Sequence, residues 1–470
     1  MKQLFRIRKR ELLAQCKVSP LIFDDMIRRL DVFATAYVAF FRRKEQRQHA
    51  ELYLGGLMSD LRRKNSESIA YQSGEDRHGL QHFIGAAPWD HRPLIEVLVG
   101  QVAAEIGDPS GVIVFDPSGF EKQGKDSVGV ARQWLGRLGK VDSGQVGIYM
   151  GYSSEKEHAL VDTRLYLSEQ WAQDWKRREK CGVPKDVRHQ TRHELALEML
   201  DAHGRNLPHA WITGDDEMGR VKSFREALRN RGEHYLLAVP FNTTIRDLES
   251  PRSEATHSGA GAQPKGKFES VKHWAERFQE QAWSEVTLRD GEKGPLKLKM
   301  LKCRVVARTE KQCVSTEEEL LVVTRRLEEN GSWKHDYFLS NAPAQTPLEE
   351  LGRAVKAEHR IEDSLKRAKS EAGLSDYEVR TWSGWYHHQA LSLIATWFLI
   401  QEALRGKKWT PAMTVPQIQE GLAMILHKAW DCANPDRIIQ ERQQRLKRNE
   451  LARFYHWLKR NLLAPLRFQP

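Results

Sequence analysis

The stretch from Gly111 to Gly119, GVIVFDPSG, decides how the rest of the chain is read. The apolar run Val112 to Phe115 is short and mostly β-branched, and it ends in Asp116-Pro117-Ser118-Gly119, which predicts a buried strand running into a turn. Before it, over residues 1–105, apolar positions fall at helical spacing: Phe33, Tyr37, Phe40 and Phe41, then Leu52, Leu54, Leu57, Met58 and Leu61. The basic clusters Arg42-Arg43-Lys44 and Arg62-Arg63-Lys64 stand at the ends of those apolar runs, where cations complement helix C-termini. They read as solvated faces or as nucleic-acid contacts. After Gly119, strand signals recur at Val146–Gly151, Ala159–Leu167, Ala210–Thr213 and Tyr235–Val239, with helical stretches at Arg188–His203 and Val221–Arg231. Strands alternating with helices predict a mixed α/β layer domain.

From Pro240 to about Pro264 the chain is rich in Gly, Ser, Thr and Pro and reads as a loop or linker. Residues 280–340 are strand-rich, with Asp290-Gly291 and Asn330-Gly331 as hairpin turns. An antiparallel β unit therefore interrupts the α/β domain. Leu348–Glu371 is amphipathic, and Gln389–Leu404 is apolar nearly all round, which predicts a buried helix. Residues 437–470 carry nine Lys or Arg against two Glu, interleaved with Phe454, Tyr455 and Trp457. The expected division is 1–105, a helical region; 106–240, the first part of an α/β core; 241–345, a β-rich insertion; 346–405, the second part of the core; and 406–470, a basic helical region.

The chain has 470 residues, 40% of them hydrophobic and 29% charged, which excludes disordered and collagenous classes. Its formal net charge of +11 points to a polyanionic partner. No window has the ~18 consecutive apolar residues of a membrane span, and the N-terminus shows no apolar signal core, so no membrane or secretory role is expected. The five cysteines lack any CxxC spacing and read as reduced thiols rather than a disulfide or zinc framework. His387-His388 reads as packing, because adjacent histidines do not share a helix face.

Three acidic residues stand out by placement. Asp116 and Asp215 each follow a short apolar strand, where an α/β sheet offers its ligands. Glu362 lies in the amphipathic stretch. Carboxylates from two strand ends and a helix suit the hard, oxygen-rich site of Mg2+, and a phosphodiester substrate accounts for the positive charge as well.

Val112 to Gly151 closely resembles the first catalytic block of bacterial insertion-sequence transposases of the DDE class, through Asp116, Lys122, Gly124, Ser127 to Val130, Arg132-Gln133-Trp134, Gly139-Lys140 and Gln145-Val146. AWITGDDEMGRVKSFREALRNRGEHYLLAVP resembles the second block and carries its Asp onto Asp215. HRIEDSLKRAKSEAGLSDYEVRTWSGW resembles the third, with Glu362 as the catalytic Glu and Lys369 seven residues on. The resemblance implies an RNase H-like α/β core with a β insertion between the second Asp and the Glu. It also implies two Mg2+ ions at Asp116, Asp215 and Glu362, with Mn2+ able to substitute.

The implied function is cut-and-paste transposition, with DNA contacts at Lys122, Arg132, Lys140, Arg360, Lys369 and Arg380. Implied partners are the inverted-repeat ends of the element and target DNA, bound by a homodimer in the bacterial cytoplasm at the nucleoid. In relatives the insertion can carry a Trp that stacks on a flipped base. Trp274, Trp283 and Trp333 are the candidates, with Trp333 placed among the DNA contacts and core packing the plainer reading of each. Two departures stand out: Asp216 and Glu217 crowd Asp215 and leave Asp215 or Asp216 open as the second ligand, and Glu358 stands where relatives commonly have Arg. The alternative is a non-catalytic DNA-binding derivative that represses transposition.

Overall fold

The computed structural model describes residues 10–433 apart from 11–12, 15, 251–266, 292–293, 310–313, 316 and 329–330; beyond 433 it describes Ile439, Gln443, Leu446, Lys447, Glu450, Leu451, Arg453, Phe454 and Trp457. Most of the basic C-terminal segment thus lies outside the described residues. The chain groups into two units, one comprising Met1–Leu94, Cys181–Val183 and Arg367–Pro470, the other Ile95–Lys180 and Pro184–Lys366. The five-part division expected from the sequence cuts the chain differently, because it follows chain order rather than contact.

The second unit is built on one twelve-stranded sheet. Its core strands are β1 (Val112–Glu121), β2 (Ala131–Leu135), β3 (Lys140–Ser153), β4 (His158–Leu165), β5 (Trp211–Gly214) and β6 (Tyr235–Ala238). β3 runs antiparallel to β1, β2 and β4, whereas β5 is parallel to β1 and β6 to β5. The order β4-β3-β1-β5-β6, three antiparallel strands and then two parallel ones, is the RNase H-like arrangement. β5 is buried along its whole length, as strands covered on both faces are. The helices Arg192–His203 and Lys222–Asn230 lead into β5 and β6. Thr191 caps the first of these, its hydroxyl accepting from the Glu194 N–H while the Glu194 carboxylate accepts from the Thr191 N–H.

β1 does not turn at Asp116-Pro117-Ser118-Gly119; it pairs with β3 through to Glu121. β5 partners only Val112 to Phe115, so from Asp116 onward that flank of β1 carries no ladder, and the N–H that Pro117 lacks removes no ladder bond there. The insertion supplies β7 (Thr244–Asp247), β8 (Glu269–Ser270), β9 (Ser284–Gly291), β10 (Gly294–Arg308), β11 (Glu319–Leu327) and β12 (Trp333–Ser340). β12 pairs antiparallel with β6, so the insertion continues the core sheet instead of forming a separate one. β7 falls in the expected linker and pairs with β10. Asp290 and Gly291 end β9 and pair with β10 rather than forming the turn. Asn330 lies outside the described residues, but Gly331, at φ +81°, takes the left-handed conformation of a tight reversal between β11 and β12. Trp274, Trp283, Cys303 and Tyr337 share the insertion's own apolar core.

The first unit is helical. Trp382–Gly406 is buried on nearly every side, as its composition requires. Its histidines are packed and bonded: His387 lies between the carbonyls of Ile84 (2.9 Å) and Trp89 (2.8 Å) and stacks on the Trp89 ring. Burial pushes His387 down to about 4. His388 meets the Tyr53 hydroxyl at 2.8 Å and the Gly373 carbonyl at 3.0 Å.

One member of the Arg62-Arg63-Lys64 cluster is not on a solvated face. Lys64 is buried, donates to the Glu371 carbonyl, and is pulled down to about 8 by its burial. Gly373, at φ +63°, ends the Leu348–Glu371 helix against the Lys64 side chain; a Cβ there would lie 2.6 Å from the Lys64 Cβ. Cys16, Cys181 and Cys303 are unbridged; Cys313 and the Cys432 side chain lie outside the described residues. Among the described residues no helix is long and apolar enough to cross a membrane.

Candidate active site

Phe115 of β1 and Gly214 of β5 are register partners on adjacent parallel strands, so Asp116 and Asp215 emerge side by side from the sheet. The approach is close: a Cβ on Gly214 would come within 2.9 Å of the Phe115 carbonyl oxygen and 3.1 Å of Met218. Asp215 caps the short turn that follows, accepting from the Met218 N–H at 3.1 Å. Asp216 faces solvent and pairs with Arg220 at 3.3 Å, while Glu217 is bound by Arg192 at 2.5 Å. Of the three adjacent acids, Asp215 is thus the one without an ion pair to a neighbouring Arg. Burial, then the charges of Glu217 and Asp216, push its carboxyl up to about 7.

The third acidic element is the Leu348–Glu371 helix, whose 348–366 portion belongs to this unit. Its Ile361 packs on β3 at Gly151, where a Cβ would lie 3.1 Å from the Ile361 Cδ1. Ser364 meets His158 Nδ1 at 2.6 Å, and the Arg360 guanidinium donates to the Ser153 hydroxyl and the Ser154 carbonyl. Glu362 is exposed. Glu358, one turn earlier, is pushed up to about 8 by burial and by the charges of Asp336, Asp215, Glu362 and Asp116. Carboxylates from β1, β5 and β12 thus lie within electrostatic reach of Glu358 on this helix. Among the described residues no three metal-ligating side chains converge on one point.

The expected DNA contacts separate into groups. Lys122, at the end of β1, donates its N–H to Ser143, which is also the register partner of the exposed Arg132 on β2. Exposed Lys140 opens β3 and bridges Asp142 at 2.8 Å. These three share the β1-β3-β2 ribbon. Arg360 instead fastens its helix to β3. Lys369 and Arg380 belong to the helical unit.

Trp274 and Trp283 are core residues, whereas Trp333 is 38% exposed. The Arg325 guanidinium lies over the rings of both Trp283 (4.1 Å) and Trp333 (4.4 Å). Sequence reading missed Arg325, and also Asp336, which read only as part of a strand. A cleft of about 1220 Å3 opens beside Asp215, lined in part by Trp134, Tyr166, Arg192, His193 and Phe224.

A family model described as DDE superfamily endonuclease matches residues 36–295, a span that contains Asp116 and Asp215 but ends before Glu362. A probable transposase for insertion sequence element IS701, from Microchaete diplosiphon, is 34% identical over 94 residues; the match covers 20% of this chain and a quarter (25%) of that relative's length. Among solved structures, a piggyBac transposase synaptic complex with hairpin DNA aligns with a TM-score of 0.38 at 11% identity, covering 89% of this chain and 82% of that one.

Proposed function

The chain belongs to the DDE superfamily of endonucleases, and from that premise we propose that it is a transposase that binds the inverted-repeat ends of an insertion sequence. It cuts phosphodiester bonds there with Mg2+ and joins the freed 3′-hydroxyl to target DNA, acting as a dimer. The observation that carries this reading is the set of carboxylates from β1, β5 and the Leu348–Glu371 helix that crowd one region, with Glu358 feeling the charge of Asp116, Asp215 and Glu362 at once.

The donor chemistry fits a hard divalent cation. All the groups are carboxylates, and Asp215 and Glu358 are pushed up by burial and then by the charges of neighbouring acids. Asp116, Asp215 and Glu362 would hold it. When bound, the ions supply an activated attacking oxygen and charge neutralisation at the leaving oxygen. The chain's part is positional. The β1–β5 register sets the two aspartates side by side, the Ile361, Ser364 and Arg360 contacts hold the helix on β3, and Lys122, Arg132 and Lys140 offer cations to the DNA backbone.

The test is Mg2+-dependent cleavage of a terminal-repeat duplex by the wild type and by Asp116→Ala, Asp215→Ala and Glu362→Ala. Cleavage by the wild type alone is the expected result. Wild-type protein that binds the duplex and never cuts it would replace this reading with that of an end-binding repressor.

A further inference from the structure

The Leu348–Glu371 helix has two flanks about its contact line at Ile361. With about 100° between successive residues, Arg360 and Ser364 fall to one side, and both reach the outer part of the sheet: Ser153, Ser154 and His158 around the β3–β4 connection. Glu358 and Glu362, four residues apart, share the opposite side. In the β1–β3 register Ser153 stands opposite Val112 and Asp116 opposite Tyr149, so the side turned away from Ser153 looks along the strands toward the Asp116 end. The electrostatics agree, since after burial the strongest influences on Glu358 are Asp336, Asp215, Glu362 and Asp116.

We propose that Glu358 is a fourth carboxylate of the catalytic centre and helps to hold its divalent cation. This rests on the metal-dependent reading above. A carboxylate set among four others is unfavourable on its own account, and a glutamine of the same shape would fill the space without the repulsion. Glu358 is on the same helix face as Glu362 and, unlike the exposed Glu362, is half-buried, so a cation held by Asp116 and Asp215 would feel the Glu358 charge as well. Its presence converts repulsion in the empty protein into additional attraction for the ion.

The experiment measures Mn2+ uptake by electron paramagnetic resonance on the full chain bound to a terminal-repeat duplex, comparing wild type, Glu358→Gln, Glu358→Asp and Asp215→Asn. Glu358→Gln is expected to bind Mn2+ roughly tenfold or more weakly, with Glu358→Asp in between, and the Mg2+ concentration for half-maximal cleavage should rise in the same order. The metal-free melting temperature of Glu358→Gln should equal or exceed that of the wild type, which separates lost metal binding from lost folding. Wild-type Mn2+ affinity in Glu358→Gln alongside weakened uptake in Asp215→Asn would overturn the role of Glu358 alone. No Mn2+ uptake by the wild type would overturn the metal-dependent reading with it.

Discussion

The helical unit and the acidic face of the α/β unit bury titratable groups in opposite ways, although elsewhere the α/β unit pairs Arg225 with Glu319 and Arg164 with Asp162. In the helical unit each has a partner of suitable chemistry: His387 has two carbonyls, His388 a hydroxyl and a carbonyl, and Lys64 a carbonyl with Asp376 nearby. In the α/β unit the acids Asp215 and Glu358 are surrounded by other acids. Matched burial holds a fold together. Unmatched burial marks a place completed by something outside the chain, which on the proposed reading is a cation and a phosphodiester.

The sharpest way to break that contrast is to remove a carboxylate from the acidic face. Asp116→Ala should lower Mg2+-dependent cleavage by at least on the order of a hundredfold while leaving end binding intact in a gel-shift assay. Unchanged cleavage would return Asp116 to the structural class. The converse substitution, Tyr53→Phe, leaves the buried His388 ring short of a partner and should cost about 1–3 kcal/mol of stability in a denaturant titration, with cleavage by the folded fraction unchanged.

The contrast also predicts a pH dependence with a definite sign. Because Asp215 and Glu358 are raised to about 7 and about 8, the folded metal-free protein keeps protons that the unfolded chain releases near the ordinary carboxylate range of about 4. Their contribution to stability is full below that range and is lost as pH rises through 7 to 8. The metal-free melting temperature of the wild type should therefore fall further over that interval than that of an Asp215→Asn, Glu358→Gln double variant. Equal slopes would show that these two carboxyls are not raised in the folded protein.

The smallest effect concerns the cations. Arg132→Ala should reduce the salt dependence of DNA binding by about one unit of slope, whereas Arg360→Ala should leave the slope alone and lower thermal stability, since its guanidinium is bound to Ser153 and Ser154. The reverse pattern would exchange their roles.

Local pattern was enough to place β1, β5 and the flanking helices, because alternation and apolar runs report burial residue by residue. It also singled out Asp116 and Asp215, although only Asp215 stands at a strand end and Asp116 lies inside a strand that runs on to Glu121. What escaped it depended on partners distant in sequence. Pro117 reads as a turn until β5 is seen to stop short of it, and Lys64 reads as solvated until Glu371 and Asp376 are seen beside it. Asp336 and the inward face of Glu358 became visible only when β12 and the Leu348–Glu371 helix were placed on the sheet. No local spacing carries that information.

The pairing of β12 with β6 also governs the order in which the molecule can be made. β6 ends at Ala238 and finds its neighbour only in Phe338, Leu339 and Ser340, so the ladder between them waits for the whole intervening insertion to be synthesised and folded. Closing so long a loop is slow, and the contact forms late. The helix carrying Glu358 and Glu362 begins at Leu348, a few residues after that ladder ends. Its starting point is thus inherited from the insertion, and a nascent or damaged chain with an unfolded insertion has no means of delivering those glutamates to the sheet. The β insertion is in this sense a spacer that must be spanned before the second half of the core sheet can close.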